Sequence, residues 1–283
     1  MKTGIIDVGG GMRDIYGAGV LDKCMEYGIN FDHCIGVSAG SANLSAYISG
    51  QKGRNYSFYI EYAFRKEYMS TGNWMRKRNF VDLDYVFGTL SNSDGENPFD
   101  YSKAIENPAR FQIVATNALT GKAHYFEFSD MKQDDYGAIK ASNCVPVVNK
   151  PYIVDGVPYF DGGLSDPIPL EKCLEEGCEK TVIILTRPKD FRRSADSDNM
   201  IVKLLRKKYP EAAKAMHTRA DHYNSVLDMA VEMEKDGKVL IVAPDSIEGM
   251  KTLKRDKDAM ISLYKKGLTD AEKIRDYLKI KSD

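Results

Sequence analysis

Residues 31–50 read FDHCIGVSAGSANLSAYISG, and their character changes in the middle. Phe31 to Val37 is apolar enough for a short buried strand. Ala39 to Gly50 is a run of small, helix-compatible residues that closes on a glycine. Strand, tight turn and helix therefore meet at Gly36-Val37-Ser38-Ala39-Gly40, a G-x-S-x-G frame. A serine at such a turn is held out from the backbone, and the flanking glycines admit close approach and unusual φ/ψ. The new helix points its positive dipole end at the hydroxyl. Taken alone, the frame also fits a tight turn with an incidental serine.

Upstream, Gly4 to Val8 (GIIDV) reads as a first strand. Gly9-Gly10-Gly11 follows, then a helix that begins near Arg13 or Asp14 and stops at Gly28. Ile15, Ala18, Leu21, Cys24 and Met25 in it follow helical spacing. A side-chain-free loop at a helix N-terminus directs several N–H groups at one spot, which suits an anion or oxyanion. A nucleotide-binding loop is the competing reading. A G-x-G-x-x-G frame from Gly9 requires glycine at position 14, where the chain has Asp14, and no G-x-x-x-x-G-K-[ST] occurs.

Downstream, the pattern is α/β. Phe111 to Asn117 and His124 to Phe128 read as strands joined by the turn Thr120-Gly121-Lys122. Tyr136 to Asn143 is a short helix. Tyr152-Ile153-Val154 and Val157-Pro158-Tyr159-Phe160 flank Asp155-Gly156, a hairpin signal, and that hairpin delivers Asp161-Gly162-Gly163 at its end. Pro167 and Pro169 lead into a helix over Leu170–Glu176, and Thr181 to Thr186 is a buried strand. Residues 196–236 are mostly helical, with Pro210 opening a second helix. Val239 to Ala243 is a last strand, and Glu248 to Ile280 holds two amphipathic charged helices.

The chain has only four histidines, His33, His124, His217 and His222, and their positions read as structural or surface ones. Asp161 instead offers a carboxylate to take the Ser38 proton directly. That role requires a pKa raised by burial, since an ordinary carboxylate is a weak base. Read on its own, Asp161-Gly162-Gly163 is a plain turn.

Composition is that of a globular protein, 43% hydrophobic and 29% charged. A net charge of −1 gives no pull toward nucleic acid. Met1-Lys2-Thr3 runs straight into the first strand without a signal-peptide pattern, and Val182-Ile183-Ile184-Leu185 is far too short to span a bilayer. Five cysteines without metal spacing read as reduced thiols in a cytoplasmic protein, with Cys173 and Cys178 as partly buried hydrophobes. Residues 64–80 (FRKEYMSTGNWMRKRNF) interleave Arg65, Lys66, Arg76, Lys77 and Arg78 with Tyr68, Trp74 and Phe80. That stretch fits either contact with an anionic lipid surface or a solvated cap loop with its tryptophan packed inward.

Four blocks carry a resemblance. They are Asp7 to Arg13 with Gly19-Val20-Leu21, then Gly36 to Gly40, then Ala141 to Pro146, then Tyr159 to Pro169. In order and spacing they resemble the patatin-like phospholipase family, especially its bacterial branch of small single-domain members. The resemblance covers residues 4–187 well and the tail from 190 more loosely. It implies a three-layer α/β fold, with a mainly parallel central sheet flanked by helices and a helical C-terminal region. The whole chain, 1–283, then reads as one catalytic domain, with a core over 4–187 and a helical cap and C-terminal region over 190–283.

The resemblance further implies a Ser38–Asp161 dyad and an oxyanion hole of Gly9, Gly10, Gly11 and Met12. The Ala39 N–H would join that hole, Arg13 would support the anion, and no metal or cofactor would be needed. The expected activity is hydrolysis of lipid esters, phospholipid or lysophospholipid acyl groups, in the cytoplasm or at the membrane periphery. A small-ester or thioester hydrolase, or a non-catalytic acyl-binding protein, are the alternatives. Two positions depart from the family pattern. Asp14 stands where glycine is usual, and reads as an N-cap of the following helix or as a charge opposing the oxyanion. Asp166 stands where asparagine is more common.

Overall fold

Apolar side chains alternate along the central strands and feed two separate cores, one on each face of a sheet. The computed structural model describes residues 1–247 and 249–280. In chain order its main elements are β1 (Thr3–Asp7), α1 (Ile15–Glu26), β2 (His33–Val37), α2 (Ala39–Ile48), β3 (Arg110–Asn117), β4 (Ala123–Glu127), β5 (Tyr152–Val154), β6 (Val157–Asp161), β7 (Lys180–Ile184) and β8 (Val239–Val242). Ile5, Cys34, Val182 and Ile184 point to the face covered by α1 and α2. Ile6, Ile35, Ile183 and Ile241 point to the other, where Tyr223, Val226 and Leu227 of the long helix Pro210–Lys235 cover them. Each fully buried aliphatic residue contributes about 1.5–3 kcal/mol, so the two faces together hold the three layers.

The eight strands run β5-β6-β3-β2-β1-β7-β8, with β4 also paired to β3. Strands β1, β2, β3, β7 and β8 are parallel. The turns of β1 and β2 into their helices therefore open at one end of the sheet, the crevice where α/β folds place their sites.

One detail of register decides the site. Strand β4 lies along β3 over Gln112–Thr116, so both β2 and β6 occupy the opposite edge. There β2 ends with Val37 opposite Val114, and antiparallel β6 ends with Asp161 opposite Ala115. The two strands meet head to head, and the residues at their tips, Ser38 and Asp161, are brought together from distant parts of the chain. The hairpin behind β6 turns through Asp155 and Gly156, both at positive φ (49° and 77°), as Asp-Gly demands.

The C-terminal helix Lys257–Asp270 lies on α1 at a glycine-lined crossing. A Cβ on Gly19 would stand 2.3 Å from the Tyr264 carbonyl oxygen, and one on Gly267 2.2 Å from that of Tyr16. The Tyr16 hydroxyl donates to Asp270 at 2.8 Å and that of Tyr264 to Asp22 at 2.7 Å. The segment before this helix is thereby laid over the glycine loop, where the Met12 N–H donates to the Thr252 carbonyl at 2.8 Å. Glu248, where the sequence places the start of the charged tail, lies outside the described residues. The segment between Phe80 and Arg110 carries no clear sequence period. It forms a π-turn over Tyr85–Thr89 and a short helix over Tyr101–Glu106.

Candidate active site

Ser38 stands on the turn between β2 and α2 with φ 56° and ψ −132°, a conformation that non-glycine residues avoid and that marks a nucleophile elbow. Its N–H donates to the Ser142 hydroxyl at 2.9 Å, and its carbonyl accepts the Ser41 hydroxyl at 2.7 Å. The Asp161 N–H donates to the Cys144 carbonyl at 2.9 Å. The block Ala141 to Pro146 thus braces Ser38 and Asp161 at once, a role its sequence does not announce.

Asp161 is buried, and its carboxylate accepts the Gly163 N–H at 2.8 Å. Burial pushes its pKa above the ordinary carboxylate value, while the Ser38 hydroxyl, the Gly163 N–H and Arg219 pull the other way. Desolvation prevails, which makes the carboxylate a stronger base than one in water.

The glycine loop seats directly on the elbow. Gly9 has φ 68°, and a Cβ there would stand 2.2 Å from the Val37 carbonyl oxygen and 3.0 Å from Ser38 Cβ. Thr186 ties the loop to the end of β7 by donating to the Gly9 carbonyl at 2.6 Å. Two of the expected oxyanion donors are already engaged. The Gly9 N–H donates to Asp7 at 3.1 Å and the Met12 N–H to Thr252. The N–H groups of Gly10, Gly11 and Ala39 make no hydrogen bond to the protein among the described residues, as first-turn amides do not within their own helix. They remain available around Ser38.

Asp14 corrects the sequence reading. It precedes α1 but its side chain caps nothing. It is fully buried against Asp7, and neither of its oxygens accepts a hydrogen bond from a donor group among the described residues. Burial and the neighbouring Asp7 hold its pKa well above the usual range, and burial pushes Asp7 up to about 6. Two carboxyls so placed share a proton, and burial favours holding it on the Asp14 side, facing an Asp7 that anchors Gly9.

This proton is a stability statement. The folded pKa is raised, so the native state keeps a proton that the unfolded chain releases near pH 4. Stability is full below that pH and falls as pH rises through the folded value, by about 1.4 kcal/mol per pH unit. Asp14→Asn is expected to flatten that decline above about pH 4 in denaturant titrations. An unchanged slope would show that the pair holds no extra proton.

Two chambers open onto Ser38. One, about 780 Å³, is lined by apolar side chains including Met12, Phe58, Tyr59, Met69, Leu83 and Phe87. The other, about 1230 Å³, is lined by Gly9–Gly11, Asp161 and four arginines, Arg13, Arg187, Arg193 and Arg219. Among the described residues no histidine lines either chamber. His33 is buried against Gln112 at 3.0 Å, and His222 lies 3.5 Å from Asp166.

His33 also meets Cys173 and Cys178 at the far end of β2 from Ser38, with ligand atoms within 4.8 Å of one another. The hydrogen bond from the Cys173 thiol is the main cause that lowers the Cys178 pKa to about 5. Sequence spacing separates these three donors, and they are one short of the four a structural zinc takes.

A strand–serine–helix elbow facing a buried carboxylate and a glycine loop, on a mainly parallel α/β sheet, defines a class of serine hydrolase folds. The patatin-like phospholipase family model matches residues 8–174, and the chain belongs to that family. Residues 209–279 match a second family model, described as a domain of unknown function (DUF6363). The chain is 30% identical over 189 residues to the uncharacterized protein YjjU of Escherichia coli (strain K12), covering 66% of this chain and 52% of that one. An uncharacterized NTE family protein of Mycobacterium bovis is 34% identical over 82 residues, which is 29% of this chain and 22% of the relative. The chain therefore spans about half or less of the length of these relatives. The crystal structure of VipD from Legionella pneumophila superposes with a TM-score of 0.50 at 13% identity, over 97% of this chain and 67% of that one, a likeness of fold.

Proposed function

We propose that this chain is a serine acyl hydrolase that cleaves lipid esters, phospholipid or lysophospholipid acyl groups, through a Ser38–Asp161 dyad. The observation that carries the reading is the head-to-head meeting of β2 and β6, which sets an elbow serine and a buried carboxylate at one chamber wall. Family membership supports lipid acyl hydrolysis in general.

In this reading Asp161 accepts the proton of Ser38 as the Ser38 oxygen attacks the ester carbonyl. The developing oxyanion faces the N–H groups of Gly10, Gly11 and Ala39, fixed before the reaction begins. Asp161 then returns the proton to the departing alkoxide, leaving an acyl-enzyme. Water repeats the cycle with Asp161 as its base, and the freed acid leaves Ser38 restored. The acyl chain occupies the apolar chamber. The helices beyond residue 190 belong to the same catalytic unit, since Thr252 closes over the glycine loop.

A fluorophosphonate probe is expected to label the wild-type protein and not Ser38→Ala. Hydrolysis of soluble esters should rise with acyl length. Absent labelling overturns the hydrolase reading, and a flat chain-length series overturns the lipid one.

We also place the enzyme in the cytoplasm, in peripheral contact with anionic membrane. All five cysteines are free and buried, as suits a reducing compartment. No helix among the described residues is long and apolar enough to cross a membrane. The short helix Thr71–Lys77 exposes Trp74 (36%) and Met75 (72%), so the tryptophan is not packed inward. Arg76 and Arg78 are exposed beside them, while Arg65 is paired with Glu96. Met69 and Val81 flank this helix and line the apolar chamber, which puts the interfacial residues next to the acyl site. Trp74→Ser is expected to cut co-sedimentation with anionic vesicles by about tenfold while sparing monomeric ester hydrolysis. Undiminished binding removes this face as the contact.

A further inference from the structure

The second chamber has a charge that the dyad does not use. Arg13, Arg187, Arg193 and Arg219 line it together, against two carboxylates, Asp161 and Asp198. Four guanidiniums less two carboxylates leave two positive charges unmatched. Asp198 reaches only Arg219, at 3.7 Å. The Nε of every one of the four arginines is buried and has no hydrogen-bond partner among the described residues. Arg13 itself is 4% exposed, and its one side-chain hydrogen bond is to the Thr252 hydroxyl at 3.0 Å. Arg187 and Arg193 lie over the rings of Phe191 and Tyr223, which hold the guanidinium planes without satisfying their donors.

Such a cluster is costly when empty. Burial lowers the Arg13 pKa to about 10 and that of Arg193 to about 9, with neighbouring arginines adding repulsion in both cases. Like charges that are desolvated and unpaired cost free energy unless an anion completes them. Planar forks of this kind match phosphate oxygens. The cluster is also continuous with the reacting groups. A Cβ on Gly10 would stand 3.4 Å from the Arg13 Nη2, and the Arg219 Nη2 stands 3.5 Å from the corresponding point on Gly163.

We infer that the four arginines form a subsite for an anionic phosphate group carried by the acyl-ester substrate, on the opposite side of Ser38 from its acyl chain. The inference rests on the hydrolase reading above and deepens it. The substrate class becomes an acyl ester bearing a phosphate within a few bonds of the scissile carbonyl, with a dianionic phosphomonoester matching the two unmatched charges.

The test pairs two short-chain monomeric esters with the same acyl group, an acylglycerol phosphate and the corresponding monoacylglycerol. Wild-type kcat/KM is expected to favour the phosphate ester by at least about tenfold, the scale of one or two charge-assisted hydrogen bonds. Arg193→Gln and Arg219→Gln are each expected to lower that preference about tenfold. Arg219→Lys, which keeps the charge and loses the fork, should fall between. Thermal midpoints confirm that the variants fold, and the half-exposed Arg187→Gln serves if Arg193→Gln does not.

Calorimetry on Ser38→Ala protein reads the same preference as binding, without turnover. Equal kcat/KM and equal binding of the two esters, or a preference untouched by the arginine variants, overturns the subsite. Inorganic phosphate that binds as tightly as the phosphate ester assigns the cluster to a free anion and overturns the substrate assignment. Loss of all hydrolysis with selective binding intact would overturn the hydrolase reading and leave the subsite standing.

Discussion

Asp161→Asn is expected to lower kcat/KM on a soluble ester by about 10²–10⁴-fold, the usual scale for loss of a general base. The amide keeps the shape and still accepts the Gly163 N–H, which the carboxylate now accepts at 2.8 Å, but it cannot take the Ser38 proton. Ser38→Ala should lose as much or more, and the double variant should be no worse than Ser38→Ala, because groups that act as one unit are not additive. The pH profile separates the base from a hidden histidine. With Asp161 as the proposed base, activity should fall as pH drops through its pKa, which burial holds above the ordinary carboxylate value. At higher pH it should stay level. Substantial activity in Asp161→Asn would refute the dyad and send the search for a base to residues that line neither chamber, His33, His124, His217 and His222 among them.

The parts of this site that lie within one stretch of chain were readable from the sequence. The elbow is a change of period across one serine. The hairpin is an Asp-Gly turn between two apolar runs, and the glycine loop is three residues without side chains. Each is decided by neighbours in sequence, and each stands in the structure within a residue or two of its expected bounds. The meeting of β2 and β6 is different. It depends on which edge of β3 stays open after β4 has paired, a nonlocal choice that no period encodes.

Burial was equally hidden. In sequence Asp14 reads as a cap because caps and buried acids share a residue type, and its partner Asp7 lies across a turn. The arginine cluster draws Arg13 from the loop, Arg187 from beyond β7, Arg193 from a connector and Arg219 from the long helix. Four scattered basic residues in a chain of net charge −1 give no local excess to notice. The orientation of Trp74 is hidden for the same reason, since an aromatic between bases has no period that says which way it faces.

Gly9→Ala is expected to damage both stability and turnover, and by more than its backbone conformation alone explains. Two costs combine at this position. The first is the positive φ of 68°, which an alanine adopts at a cost of about 1 kcal/mol. Gly28 shares it at φ 62°, and a Cβ there would meet nothing within 4 Å. Gly28→Ala therefore measures the conformational cost by itself, at about 1 kcal/mol, far from the site. The second cost is contact. At Gly9 the new methyl would lie 2.2 Å from the Val37 carbonyl oxygen and 3.0 Å from both the Ala39 nitrogen and Ser38 Cβ. All three belong to the elbow, so the loop or the elbow must move by most of an ångström.

A shift of that size misaligns oxyanion donors with the serine. It is expected to lower kcat about 10²-fold or more in whatever fraction folds, since misplacement by 1 Å costs on that scale. Denaturant titration and ester kinetics on the two alanine variants side by side give the comparison. Gly28→Ala should keep wild-type kcat with a slightly lower midpoint, while Gly9→Ala should lose more stability and nearly all turnover. If Gly9→Ala instead matches Gly28→Ala in both measurements, the loop does not set the elbow, and oxyanion stabilisation must come from elsewhere around Ser38.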